Sequence, residues 1–318
     1  MNNAGYCRAV EKLLNLEIPD RAVFIRVVMC ELSRIMDHLV CIGTNLVDIG
    51  ALTNFWFFFN VREKIYTAVE KVTGARLTYA YTRIGGLSRD VYPDFAPDIK
   101  RILKEVEKGV RDVMGLVANN RIFCDRTVDI GVVTKKQAIE WGFTGPCLRA
   151  SGVEHDLRKA EPYYHYDEFD FDIPVAENGD TYDRTMVRIE EVYQSIRIIH
   201  QALEKLPKGP VMTADARVAL PPKEEVYGSI EGLMNHFKLI MHGILPPKGE
   251  VYSATEAANG ELGFYIVSDG SMRPYRIKCR PPCFPLFAAY EKIIEGHMIA
   301  DAVAIIGSLN IVAGELDR

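Results

Sequence analysis

Apolar residues recur at helical spacing through most of this chain. From about residue 21 to residue 47 they follow one another at steps of three, four or seven positions: Val28, Leu32, Ile35, Leu39 and Leu46. Such a stripe predicts one long helix with a buried face. The same spacing predicts further helices over about 53–72, 99–113, 134–141, 180–206, 224–241 and 299–309.

Residues that start and stop helices lie near several of these boundaries. Thr53 is expected to cap the second helix and Gly74 to follow its last turn. The short helix begins at Thr134 and ends before Gly142. We therefore expect most of the first 245 residues to form a helical core.

The hydrophobic period changes to two after the paired prolines at 246 and 247. Alternation over 251–255, 264–267 and 275–279 predicts three strands, with Asp269-Gly270 as a turn. The pattern therefore predicts an α+β fold, a mainly helical bundle with a small β meander. We expect a single domain over 1–318, with the helical core at about 1–245, the meander at about 250–282 and a C-terminal helix at about 299–309.

Composition excludes several classes of protein. The chain has 318 residues, of which 48% are apolar, and a net charge of −5, which disfavours nucleic acid as a partner. Seven scattered cysteines suggest buried thiols rather than a disulfide framework. No apolar run reaches the roughly 18 residues of a spanning helix. No Gly-x-Gly-x-x-Gly or phosphate loop is present, so we expect no nucleotide to bind this chain.

Four separate segments carry a recognisable layout: Leu148-Arg-Ala-Ser-Gly-Val153, Asp156-Leu-Arg-Lys159, Ser268-Asp-Gly-Ser-Met-Arg-Pro-Tyr-Arg276, and the ending from Asp301 to Arg318. Together they resemble the quinone-site subunit of respiratory complex I (the D-type or 49-kDa subunit), and the resemblance runs from Ala9 to Arg318. That family is related to the large subunits of nickel–iron hydrogenases. The resemblance implies a hydrogenase large-subunit-like fold. Hydrogenases hold their metal with two Cys-x-x-Cys pairs, and this sequence has none, so we expect no bound metal.

The resemblance also implies a function. The family member forms part of a quinone-reduction chamber, next to an iron–sulfur cluster held by a neighbouring subunit, and quinone reduction drives proton translocation elsewhere in the complex. Quinone is the implied substrate. The implied partners are the cluster-carrying subunit, the adjoining hydrophilic subunit and the membrane-arm subunit at the quinone site. The implied location is peripheral on the inner membrane, facing the bacterial cytoplasm or the mitochondrial matrix, and the chain is not expected to be active alone.

Asp48 is the candidate catalytic residue. Its position at the end of the long helix places a carboxylate at the negative end of the helix dipole, which calls for compensation. A local cap or a salt bridge to an arginine is the simplest explanation. The family's Leu-Asp-Leu-Gly-Ala motif matches Val47-Asp-Ile-Gly-Ala51, and there the Asp pairs with a His that donates toward the quinone. That pairing favours the imidazolium and aids proton delivery.

The His itself, and a Tyr that also contacts quinone, belong to the region before the matched part, which is β-rich in family members. We expect this region, with both residues, to be absent from the chain. The quinone-binding candidates within it are Val40, Thr44, Asp48 and Val312. As isolated residues, Val40, Thr44 and Val312 are ordinary helix-face residues, and the sequence alone favours core packing for them. The family places the matching positions along the wall of the quinone cavity.

Basic residues cluster at Arg149, Arg158 and Lys159 and again along 273–280. They fit a solvated basic face, or a surface that docks acidic subunits and tunes the field near a cluster. His38 is expected to be solvated or ion-paired. Cys279 and Cys283 lack a second pair, so they do not indicate a metal site.

Two other functions remain open. A chain without the His and Tyr fits a non-catalytic assembly scaffold of the same complex. The equivalent subunit of a ferredoxin- or deazaflavin-dependent relative has the same layout. An active hydrogenase is excluded because its metal cysteines are missing.

Overall fold

The predicted long helix lies at the centre of the computed structural model, which describes residues 1–317. The helices are α1 Asn2–Leu14, α2 Asp20–Asp48, α3 Leu52–Thr73, α4 Phe95–Val117, α5 Arg121–Thr127, α6 Lys135–Glu140, α7 Gly145–Ala150, α8 Leu157–Ala160, α9 Thr181–Glu204, α10 Lys223–Gly228, α11 Ile230–His242, α12 Cys283–Ile294, α13 Ile299–Leu309 and α14 Ala313–Leu316. The strands are β1 Thr82–Arg83, β2 Gly86–Leu87, β3 Gly249–Ala257, β4 Gly260–Ser268 and β5 Arg276–Arg280. Arg318, the last residue of the C-terminal motif, lies outside the described residues.

The turn between α2 and α3 corrects one predicted boundary. Gly50 has φ 101°, and the Ala51 N–H donates to the Leu46 carbonyl at 2.7 Å, as in a Schellman ending. This tight ending lets the next helix begin at once, with Ala51 as its N-cap. Thr53 is therefore inside the first turn and does not cap the helix. Gly74, with φ 82°, does follow the last turn of α3 as predicted.

The helix predicted over 224–241 is wrong as one element. The structure breaks it at Ser229, whose backbone is extended, into α10 and α11. The Ser229 hydroxyl accepts a hydrogen bond from the Gly232 N–H at 3.0 Å and so caps α11. Gly228 ends the first helix and Ser229 caps the next one. These two residues break the helix even though the apolar spacing continues through them.

Capping residues explain the neighbouring helix starts. Thr134 and Gln137 form a capping box at the start of α6. Asp180 accepts from the Asp183 N–H at 2.7 Å and starts α9. Both helices were predicted at these positions, and their ends differ from the prediction by no more than two residues.

The β meander is antiparallel in the order β3-β4-β5. Val251 pairs with Ile266, and Ile266 pairs with Ile277. β3 and β4 join through the two residues Ala258 and Asn259. A separate two-stranded ribbon pairs β1 with β2.

Three groups of buried residues hold the elements together. The largest joins α2, α3, α4 and α9 into the helical bundle. A second joins α6, α7, α12 and α13. The third packs α1 on the inner face of β3 and β4, through residues such as Val10, Leu262 and Phe264. The predicted α+β architecture is confirmed.

Candidate functional site

One face of α2 is open although most of the helix is buried. Ser33, Asp37, Val40, Thr44 and Asp48 are each partly or fully exposed. Their spacing of three or four residues places them in one stripe along the helix. This open stripe contains three of the four predicted site residues, and it combines polar side chains with one apolar side chain.

Asp48 occupies the last turn of α2, where the carbonyl groups have no partner in the helix. Its side chain is exposed, and within residues 1–317 its carboxylate makes no hydrogen bond or salt bridge. The local cap or salt bridge considered from the sequence is therefore not what holds it. The carboxylate is free to pair with a group supplied from outside the described residues.

The segment that contains Val312 is tied to the open stripe. Asn310 ends α13 in the left-handed conformation, with φ 54°, and its Nδ2 donates to Asp37 Oδ2 at 2.8 Å. The Cys41 thiol lies 3.7 Å from the Gly307 carbonyl. Val312 follows two residues after Asn310 and is 40% exposed. The fourth predicted residue thus belongs to a segment that is anchored on the same helix.

A cavity of about 640 Å³ opens at the Asp37 end of the stripe. Its wall combines Asp37 with Arg62 and Tyr66 of α3, and with residues 76–80 and 1–3. The Arg62 guanidinium lies 4.7 Å from the Tyr66 ring centre, and its Nε is buried with no hydrogen-bond partner in the described chain. Burial lowers the pKa of Arg62.

Behind α2 lies a group of fully buried charges, here called the buried ion network: Glu31, Arg34, Arg149, Asp156, Arg158, Glu191 and Glu256. Arg149 Nη1 lies 2.9 Å from Glu256 Oε1, and Arg149 also pairs with Glu191. Arg158 lies 2.6 Å from Asp156 and 3.2 Å from Glu31. The predicted solvated or docking face is therefore wrong for Arg149 and Arg158, because buried carboxylates surround them. Lys159 is exposed, as are Arg273, Arg276 and Lys278.

The network determines the charge states of its own members. Burial alone would raise the pKa of Glu31, but Arg34, Arg158 and hydrogen bonds from Tyr166 and Ser195 outweigh it, so this pKa is lowered. The pKa of Glu191 is lowered in the same way, with Arg149 as its main cation. Burial and the nearby Asp156 instead raise the pKa of Glu256. These ion pairs link α2, α7, α8 and α9 to β3.

His38 is not solvated but hydrogen-bonded to a buried carboxylate. Its ring is fully buried, and Nε2 lies 2.8 Å from Glu191 Oε2. Its Nδ1 has no hydrogen-bond partner within residues 1–317 and lies 4.0 Å from Asp37 Oδ2. His38 therefore lies between the buried ion network and the carboxylate that lines the cavity.

Residues 48–318 match the family described as respiratory-chain NADH dehydrogenase, 49 Kd subunit. The chain belongs to this family. It is 54% identical over all of its residues to the C/D subunit of NADH-quinone oxidoreductase from Bdellovibrio bacteriovorus, of which it covers 57%. It is 51% identical to the D subunit from Myxococcus xanthus and 50% identical to the D subunit from Geobacter sulfurreducens, covering 77% and 81% of those proteins.

The family match confirms the resemblance given by the sequence motifs. Its members are named as subunits of NADH-quinone oxidoreductase, an oxidoreductase complex. The chain spans a little over half of the C/D relative and about four fifths of the D relatives.

No metal-binding cluster is found among the described side chains of this 49 Kd family member. Residues 1–317 contain no group of three or more His, Cys, Asp or Glu side chains placed to hold a metal ion. Across the same residues, no helix combines the length and the apolar character needed to cross a bilayer.

Sequence reasoning missed Asp37, Arg62 and the buried ion network. A signal for the network was present, because Glu31, Arg34 and His38 follow one another at steps of three and four along one side of α2. Charged residues at such steps beside an apolar face are buried only when they are paired. Their partners are 127 positions away for Glu31 and Arg158 and 222 for Arg34 and Glu256, and nothing in local spacing identifies them.

Proposed function

We propose that this chain forms part of the quinone-reduction chamber of NADH:quinone oxidoreductase. The observation that supports this most directly is the open stripe of α2. It presents Val40 and Thr44 between the cavity at Asp37 and the carboxylate of Asp48, with the segment of Val312 anchored alongside. An apolar wall with a few placed polar groups suits a quinone ring and its isoprenoid tail.

Asp48 is proposed to act through a histidine that lies outside the described residues. The exposed carboxylate would stabilise the imidazolium form of that histidine, since a close opposite charge favours the charged state. The imidazolium can then donate a proton to the reduced quinone. Val40, Thr44 and Val312 would contact the ring and the first part of the tail.

The rest of the reaction is assigned to other subunits. Electrons reach the quinone from an iron–sulfur cluster in a neighbouring subunit, and the membrane subunits translocate protons. The chain would lie on the periphery of the inner membrane, on the cytoplasmic side in bacteria or the matrix side in mitochondria. Its proposed partners are the cluster-carrying subunit, the adjoining hydrophilic subunit and the membrane-arm subunit at the quinone site. NADH is the proposed donor, as in the names of the relatives, with ferredoxin and deazaflavin as alternatives.

Photoreactive quinone labelling of the assembled complex tests this proposal. The label should attach to peptides that contain residues 33–48 of α2, and excess natural quinone should suppress the attachment. Peptides from α4, which packs on α3 and α9, serve as the internal control. Labelling confined to other subunits, with none on α2 or near Val312, would overturn the proposal.

A second candidate function is an assembly scaffold. The exposed apolar side chains of α11, such as Ile230 and Phe237, favour a large contact with another subunit. A scaffold would be required for assembly, but Asp48 and its neighbours would be replaceable without loss of quinone reduction. Replacing Asp48 by asparagine in the assembled complex therefore separates the two functions.

A further inference from the structure

Three titratable side chains form a row from the cavity into the core. Asp37 lines the cavity and is 34% exposed, whereas His38 and Glu191 are fully buried. His38 Nδ1 lies 4.0 Å from Asp37 Oδ2, and its Nε2 lies 2.8 Å from Glu191 Oε2. Asn310 fixes Asp37 by donating to the same Oδ2 at 2.8 Å.

These three side chains can bind one proton more than the hydrogen bond between His38 and Glu191 requires. Glu191 stays ionised because its arginine neighbours lower its pKa, so it only accepts, and His38 Nε2 must carry the hydrogen of that bond. In the neutral imidazole, Nδ1 then carries no hydrogen and can only accept. It faces the Asp37 carboxylate, which also only accepts, so the two groups repel each other. A proton between them, on Nδ1 or on Asp37, turns this contact into an attraction.

The charges around His38 keep this proton labile. Burial lowers the pKa of His38; Glu191 and Asp37 raise it, and Arg188 of α9 lowers it. Arg34, on the same helix, and Arg149 of α7 act through Glu191. Cys41, one turn further along α2, is a neutral thiol, since burial raises its pKa to about 12. The net result is a pKa below that of an ordinary imidazole, so the neutral form of His38 is favoured and a proton loaded onto Nδ1 is readily released.

We propose that Asp37, His38 and Glu191 form a proton-loading site that supplies one of the two protons for quinone reduction. The proposal rests on the proposed quinone chamber. Asp37 is the member that faces the substrate, and His38 holds the proton behind it.

Quinone reduction needs two electrons and two protons. The quinone receives both electrons from the one-electron carrier of the neighbouring subunit, and it leaves as quinol. One proton comes through Asp37 as the His38 N–H bond at Nδ1 breaks and a quinol O–H bond forms. His38 is left as neutral imidazole and is reloaded from solvent through the partly exposed Asp37. The other proton comes from the histidine that pairs with Asp48.

The first experiment replaces Asp37 in the assembled complex. Asp37→Asn keeps a side-chain oxygen that accepts the hydrogen bond from Asn310, but it cannot transfer a proton. The kcat for quinone reduction should therefore fall by about tenfold, which is less than the loss of a whole general acid causes. NADH oxidation by ferricyanide should stay at the parental rate, which shows that electron entry is intact, and a native gel should show the complex in its parental amount. Asp37→Glu restores a carboxyl group and should recover most of the lost rate. Asp112→Asn, an exposed site on α4, is the matched control.

The second experiment is the pH profile. Because the pKa of His38 is lowered from its ordinary value of 6.5, its proton is lost as pH rises through a range below that value. Quinone reduction in the parent should slow over this range, and Asp37→Asn and His38→Gln should both flatten the decrease. The glutamine can still donate to Glu191, so it separates packing from proton transfer. Parental rates and parental profiles in Asp37→Asn would overturn the proton-loading site, and so would a loss that Asp37→Glu does not recover.

A comparison with Asp48→Asn separates failure of this site from failure of the chamber. If Asp48→Asn slows quinone reduction and Asp37→Asn does not, the chamber stands and the second proton source is wrong. If neither substitution slows it, and α2 takes no quinone label, the proposed chamber is wrong as well.

Discussion

At the scale of single residues, exposure separates two kinds of charge in this chain. Asp48 is a charge without a partner in the described residues, and it lies at a helix end where the dipole opposes it. Arg149 is a charge with three buried carboxylates around it. Replacing Asp48 should slow the reaction with little effect on folding. Replacing Arg149 should lower the stability of the fold.

For Asp48→Asn we expect slower quinone reduction with assembly nearly intact. Asparagine keeps the shape but removes the charge, so the pKa of the partner histidine should fall by roughly one to three units. Above that pKa, each unit lost lowers the protonated fraction about tenfold. Quinone-dependent NADH oxidation should decrease in proportion, while ferricyanide-dependent oxidation should not change. Equal loss with both acceptors would indicate failed assembly, and no loss with either would favour the scaffold function.

For Arg149→Met we expect a loss of about 3–5 kcal/mol in the free energy of unfolding, because Glu191 and Glu256 would remain buried without their cation. Urea denaturation of the chain measures this. Arg197→Met is the matched control, since Arg197 pairs with Asp170 and Asp172 at the surface. That change should cost no more than about 1 kcal/mol. Similar losses in the two variants would contradict the structural role given to the buried ion network.

At the scale of secondary structure, the long elements were predictable and their contacts were not. α2, α4 and α9 follow apolar repeats that are many turns long, and each was predicted near its observed place. α7 and α8 were missed because each has six residues or fewer, too short to show a repeat. α12 was missed because Pro285 in its first turn and the two prolines before it look like a loop. The open stripe was not visible either, since it depends on what packs around α2.

The close approach of α7 to the β3-β4 turn gives a prediction at this scale. Gly145 has φ 66°, and a Cβ there would overlap the Gly260 backbone. We expect Gly145→Ala to lower the free energy of unfolding by about 2 kcal/mol or more, because a left-handed non-glycine residue alone costs about 1–2 kcal/mol. Gly115→Ala, in the last turn of α4 with nothing within 4 Å of the new Cβ, should raise it by up to about 0.5–1 kcal/mol. Thermal denaturation compares the two, and a Gly145→Ala protein of parental stability would contradict this packing.

At the scale of the whole molecule, α11 presents apolar side chains with little of its own chain to cover them. Gly232 is its only residue that is buried within the described chain. The exposed large apolar residues of this helix are Ile230, Leu233, Met234, Phe237, Ile240 and Met241. A contiguous apolar surface of this kind marks a contact between proteins.

The isolated chain should therefore self-associate and be a poor catalyst. Light scattering should show oligomers at micromolar concentration, and an apolar dye should bind. Replacing Met234 and Phe237 together by glutamate should shift the chain toward monomer, whereas Val175→Glu, an exposed position elsewhere, should not. A monomeric parent with NADH:quinone activity in the absence of partners would contradict this expectation.

The buried ion network also predicts how the stability of the molecule depends on pH. The pKa values of Glu31, Glu191 and Asp156 are lower in the folded chain than their ordinary values of 4.5, 4.5 and 3.8. A lowered pKa gives stability that is complete above the ordinary value and is lost as pH falls through the folded-state value. Glu256 contributes to stability in the opposite direction. Its pKa is raised, so its contribution is present below 4.5 and is lost as pH rises through the folded-state value.

Three lowered pKa values against one raised value mean that the chain should lose stability on acidification below about pH 4.5. The loss should reach about 1.4 kcal/mol per pH unit for each extra proton that the unfolded chain binds. Thermal midpoints measured from pH 7 to pH 3 should therefore show a steep acid limb. Glu31→Gln removes one of these carboxylates, so its midpoint should be lower at pH 7 but its acid limb shallower, whereas Asp112→Asn should follow the parent throughout. If the parent and Glu31→Gln curves run parallel, the carboxylates of the network do not control acid stability.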